Sequence, residues 1–90
     1  MKKVFKYIIP KHDQTELFLP RGSTPLRVNV QGDSACMWVE VNPSTDIERR
    51  VFETFFTGQE IPDEFIYIDT FYTADEWGPL VYHTYEKPLS

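Results

Sequence analysis

The side chains best suited to nucleophilic, acid–base or metal chemistry in this chain are Cys36, His12 and His83. A nucleophilic cysteine needs a neighbouring base or a helix N-terminus to lower its pKa. Cys36 instead sits between Ala35 and Met37 in an alternating run, and reads as a small packed residue. His12-Asp13 would supply half of a metal site, but no HxH, CxxC or HExxH spacing completes it. The two histidines therefore read as one loop and one strand residue, and no metal is expected. Glu60, Asp63, Glu64, Asp75 and Glu76 could in principle supply a carboxylate pair for glycosidase-like catalysis. They fall in turn-rich segments and read as a solvated acidic rim. The four glycines are widely spaced, so no phosphate-cradling loop is present. The expectation is a non-enzyme without a cofactor.

Two constellations suit binding. Arg27, Arg49 and Arg50, with Trp38 and Thr57, would make an anion-plus-stacking platform for a nucleotide-like ligand, since guanidinium groups grip phosphate and indole stacks on bases. Against this, Trp38 also reads as a core residue, and the arginines have acidic neighbours in Glu48 and Glu53. The second constellation is the aromatic, acidic C-terminal third, from which Asp69, Tyr72, Asp75, Glu76 and Trp77 are the candidate protein-binding residues. Aromatic residues are enriched at protein interfaces. Seven of them (Phe65, Tyr67, Phe71, Tyr72, Trp77, Tyr82 and Tyr85) are too many for so thin a core to hide.

The elements that position these residues read as strands. Period-2 alternation recurs, broken every eight to twelve residues by turn residues, as in an antiparallel sandwich or barrel. The predicted strands are Lys3–Ile9, stopped by Pro10; Thr15–Leu19, before the Pro20-Arg21-Gly22-Ser23 turn; and Leu26–Gln31. Gly32-Asp33 suits a two-residue hairpin turn leading into Ala35–Val41. Phe65–Tyr72 and Leu80–Tyr85 complete the set. The stretch 45–55 reads two ways. As a helix, Thr45 and Glu48 form a capping box and Ile47, Val51 and Phe55 make an apolar stripe. As a strand, β-branched and aromatic residues run to Thr57-Gly58; the strand is preferred. The fold expected is a single all-β domain over residues 1–90, a six- to seven-stranded β-sandwich or small barrel.

Composition bounds the partners. Aromatic residues make up 16% of the chain, enough to fill a thin core. Residues 1–30 carry six basic and two acidic side chains, whereas residues 31–90 carry three basic and twelve acidic ones. The net charge of −5 disfavours direct nucleic-acid binding, whose affinity comes largely from cation–phosphate contacts. No apolar run approaches the roughly 20 residues of a membrane span. Met1–Tyr7 reads as a strand rather than a signal peptide, because Lys6 interrupts the apolar run. A single cysteine allows no intramolecular disulfide, so the cytoplasm is the expected location.

Several short motifs carry a resemblance. Val4-Phe5-Lys6-Tyr7, Leu19-Pro20-Arg21-Gly22, Pro25-Leu26-Arg27-Val28-Asn29-Val30-Gln31 and Met37-Trp38-Val39-Glu40-Val41-Asn42 follow one another in order. Glu48-Arg49-Arg50-Val51-Phe52, Thr57-Gly58, Tyr67-Ile68-Asp69-Thr70 and Leu80–Glu86 complete the series. Together they resemble a family of small phage and prophage β-rich proteins carrying a domain of unknown function. The chain departs from that family's pattern at Phe56 and Asp69, where the family tends to carry glycine. The resemblance implies a compact β fold, a strand at 48–56 and a phage or prophage setting; it brings no activity and no functional residue.

The functional expectation is a phage-encoded accessory protein in the cytoplasm of an infected bacterium, binding and blocking a host protein of the defence machinery. Two alternatives stand beside it: a homo-oligomer that sequesters a nucleotide-like ligand, and a minor virion or assembly component.

Overall fold

A computed structural model of the chain describes residues 1–75 and 78–89, Asp75 by its backbone. Seven strands follow in order: β1 (Lys3–Ile9), β2 (Asp13–Pro20), β3 (Thr24–Gln31), β4 (Ser34–Val41), β5 (Ile47–Phe56), β6 (Ile66–Asp75) and β7 (Gly78–Lys87). They form two antiparallel sheets, a three-stranded sheet ordered β1-β4-β3 and a four-stranded sheet ordered β2-β5-β7-β6. The sheets do not close into a barrel, and the described residues contain no helix.

Strict alternation makes the β3–β4 hairpin. Gln31 pairs with Ser34 across Gly32-Asp33. Gly32 has φ +62°, and Asp33 is not among the positive-φ residues, the sign pattern of a type II′ turn. At the Pro20–Ser23 turn, Ser23 N donates to Pro20 O at 3.2 Å while Gly22 holds φ +79°, a backbone region a side chain rarely enters.

From Ile47 onward the stretch 45–55 is strand and not helix, because its helix signals are used elsewhere. The Thr45 hydroxyl donates to Asn42 O and Arg21 O, and Glu48 Oε2 accepts from Gly22 N at 3.0 Å. Both members of the would-be capping box thus fasten β5 to the Pro20–Ser23 turn. β5 also buries side chains on two faces: Phe52 and Thr54 on one, Val51 and Phe55 on the other. A single helical stripe could not supply that pattern.

The sheets share one core. Ile9, Val28, Ala35, Met37, Val39 and Val41 from the three-stranded sheet meet Leu19, Phe52, Phe71 and Tyr82 from the four-stranded one. Within it the Thr54 and Thr84 hydroxyls satisfy each other at 2.8 Å. The sandwich is fastened along one side, where edge strands β3 and β6 lie against each other. Both carry an irregularity there, β3 between Pro25 and Arg27 and β6 between Tyr67 and Asp69. Along the other side, among the described residues, β1 and β2 have no ladder partner on their outer edges.

Candidate functional site

The strand register decides which of the candidate residues can act together. Arg49 and Arg50 are neighbours on β5, so their side chains leave opposite faces of the sheet. Arg49 pairs with Glu16 on the outer face. Arg50 turns inward, donates to both Glu86 carboxylate oxygens at 2.7 Å and to Ser23 O, and lies over the Phe52 ring. The Glu86 hydrogen bonds and charge, with that of Glu48, hold the Arg50 guanidinium pKa above its usual value against the opposing effect of burial. A cavity of about 250 Å³ beside this pair is lined by Glu48, Arg49, Arg50, Ile66, Glu86 and Lys87, with Pro88 and Leu89. Its lining carries three cations against two carboxylates, and two of those cations, Arg49 and Arg50, are already paired with Glu16 and Glu86.

Arg27 and Trp38 do come together, on the other sheet. They are register partners across β3 and β4, and Lys6 of β1 is the register partner of Trp38 on its other side. Trp38 lies on the face opposite the core residues Met37 and Val39, and is part-exposed between two exposed cations. Cys36 shares that outer face but is buried, its register neighbours being Ile8 and Asn29.

Of the C-terminal aromatic residues, Phe71 and Tyr82 stack in the core, with ring centroids 5.1 Å apart. Phe65, Tyr85 and Tyr67 form a separate group around buried Phe55 on the outer face of the four-stranded sheet. Asp69 is part-buried and accepts a hydrogen bond from Val28 N, so it serves the seam between the sheets. Glu76 and Trp77 lie outside the described residues; Asp75 is placed by its backbone at the end of β6. Tyr72 is 68% exposed.

Tyr72 belongs to a feature that the sequence did not reveal. The β5–β7 ladder ends at Phe56–Tyr82, followed by bonds from the Thr57 N–H and hydroxyl to Val81 O. Beyond that point β6 and β7 continue as a two-stranded arm through Tyr72–Val81, Thr73–Leu80 and Ala74–Pro79. Tyr72 and Val81 point to one face of the arm and Leu80 to the other. Val81 is 38% and Leu80 40% exposed.

At the foot of the arm runs a chain of hydrogen bonds, also unseen in the sequence. Thr57 Oγ1 lies 2.8 Å from His83 Nε2, His83 Nδ1 lies 3.0 Å from Thr70 Oγ1, and Thr70 Oγ1 lies 2.7 Å from the Tyr67 hydroxyl. A neutral imidazole donates from one nitrogen and accepts at the other, so it orients the hydroxyls on either side. Among the described residues no carboxylate reaches the ring to play the orienting part that a catalytic triad requires. The chain fixes side chains on an exposed face. No group of His, Cys, Asp and Glu among the described residues is arranged to hold a metal ion.

Fold and surface together define a small all-β domain with a projecting hairpin. The chain belongs to the family described as a domain of unknown function, DUF7352, whose pattern matches residues 1–90. No curated protein matches it, and no solved structure does. No helix among the described residues is long and apolar enough to cross a membrane.

Proposed function

We propose that this chain is a non-catalytic accessory protein that works by binding another protein, with the β6–β7 arm as its contact element. The observation that supports this reading is the exposure of Tyr72 and Val81 on one face of the arm and Leu80 on the other. A two-stranded ribbon carrying apolar side chains on both faces is marginal in water, and contact with a partner would cover them. The resemblance to phage and prophage proteins supplies the setting: the cytoplasm of an infected bacterium, where the partner is a host protein and the result is its occlusion, as an inhibitor of host defence. Pull-down of the tagged protein during infection tests this. A stoichiometric host protein should be retained by the wild-type chain and lost with Tyr72→Ala and Val81→Ser together. Undiminished capture by that folded double variant removes the arm from the reading.

A second reading, capture of a nucleotide-like ligand, is supported by Trp38 standing between Lys6 and Arg27. Arg49 and Arg50, committed to Glu16 and Glu86, have no part in it. A ligand present at 100 times its dissociation constant stabilises a protein by about 2.7 kcal/mol. A thermal shift with some member of a nucleotide panel, abolished by Trp38→Ala, would support this reading; no shift with any member removes it.

A further inference from the structure

The sandwich is fastened along β3 and β6 and open along β1 and β2. An unpaired strand edge presents free N–H and C=O groups and invites another strand, so natural proteins usually cover it, charge it or shorten it. Here the two open edges lie on the same side, seven and eight residues long, and bear exposed apolar residues. Val4 is 55%, Ile8 67% and Phe18 59% exposed. Their charges are opposite: β1 carries Lys3 and Lys6, β2 carries Asp13 and Glu16.

We propose that two copies of this chain pair through these edges, β1 of each copy with β2 of the other, about a two-fold axis running along the strands. Such an axis keeps every residue at its own height along the strand direction. Only residues 10–12 join β1 to β2, and the proposed dimer accordingly sets Ile9 and Asp13 at one height, with the two strands of each copy running away from that connection in their separate sheets. The axis therefore brings Ile9 opposite Asp13 of the second copy, and the antiparallel register follows without adjustment. Lys6 faces Glu16 of the second copy, Val4 faces Phe18, and Lys3–Ile9 is matched in full by Asp13–Leu19. Inward and outward faces also agree. Lys6 shares the outer face with Trp38, its register partner, and Glu16 shares the outer face with Val51. The alternative two-fold pairing, β1 with β1, crowds the lysines of one copy against those of the other. Like charges placed opposite each other destabilise a strand pair. In the β1–β2 dimer each three-stranded sheet continues into the other copy's four-stranded sheet, leaving no open edge on that side.

Sedimentation velocity on the intact chain tests the arrangement. The wild-type protein at about 100 µM should sediment at twice the 10.6 kDa chain mass. Lys6→Glu and Glu16→Lys each set like charges against one another at both symmetric contacts. Each alone should weaken dimerisation roughly tenfold or more. Mixing the two variants should restore the dimer, because every contact then joins opposite charges. Far-UV circular dichroism and melting confirm that both variants fold. A wild-type monomer at 100 µM overturns the proposal, as does a dimer that both single variants leave unchanged or a mixture that fails to re-form it.

Discussion

The carboxylate of Asp69 joins the two sheets: its Oδ2 accepts the backbone N–H of Val28 on β3 at 2.9 Å, while Oδ1 accepts the N–H of Thr70 at 2.9 Å. Val28 is almost wholly buried, so its N–H lies where water is scarce. The shift in β6 register between Tyr67 and Asp69 is what aims this carboxylate across the seam. Removing it leaves a buried donor unmatched, a loss of about 1–3 kcal/mol. Asp69→Ala should lower the Tm by several degrees, read by circular dichroism. An unchanged Tm would show that Val28 finds another acceptor and that the seam does not depend on Asp69.

The Arg50–Glu86 pair makes a different prediction, because its worth depends on which partner is removed. Both side chains are mostly buried, so losing one strands the other's charge. Glu86→Leu alone should destabilise by about 2–4 kcal/mol in urea denaturation. Replacing both, as Arg50→Met with Glu86→Leu, should return stability to within about 1 kcal/mol of the wild type, since apolar groups of similar volume need no partner. If the double variant is as unstable as the single one, the pair contributes more than mutual neutralisation.

Asp13 opens β2 with φ +132°, outside the range that L side chains readily adopt, while its Oδ1 accepts the N–H of Gln14 at 2.8 Å. Strain of this kind costs about 1–3 kcal/mol, more than an exposed local hydrogen bond returns. Asp13→Gly should therefore raise the Tm by a few degrees, and Asp13→Val should lower it. A lower Tm for the glycine variant would mean that the hydrogen bond to Gln14 outweighs the strain.

Tyr7 packs against the core, and burial raises its phenol pKa above 10.0. A proton held more tightly in the folded chain than in the unfolded one stabilises the fold fully below the unfolded pKa. That contribution is lost as the pH rises through 10 and past the folded value. Melting curves between pH 8 and 11 should show a shallower alkaline decline for Tyr7→Phe than for the wild type. Parallel declines would assign the alkaline loss to other groups.

These residues also show why parts of the fold were legible and parts were not. β3 and β4 could be read from Leu26–Val41 because alternation and a Gly-Asp turn are local signals. β5 was ambiguous because both its faces are covered, and because Thr45 and Glu48 are held by the Pro20–Ser23 turn, which is remote in sequence. Arg49 and Arg50 look like a pair along the chain, yet a strand sends neighbours to opposite faces. Trp38 could be read as core or as surface until the register set it opposite Met37 and Val39. The His83–Thr70 contact and the reach of Asp69 to Val28 depend on a register shift in β6 that no local pattern announces.

The order of strands across the sheets carries a consequence for how the chain acquires its shape. Only β3–β4 and β6–β7 are ladders between consecutive strands; β1–β4, β2–β5 and β5–β7 each join strands separated by others. Isolated hairpins form in about 1–10 µs, whereas non-local pairing must first overcome the entropy of closing a long loop. During synthesis β1 and β2 leave the ribosome first, yet neither can be placed until β4 and β5 have followed. Of the seven strands, the first two made are among the last to settle, and the nascent chain spends that interval with β1, which carries Lys3 and Lys6, and β2, which carries Asp13 and Glu16, both unpaired.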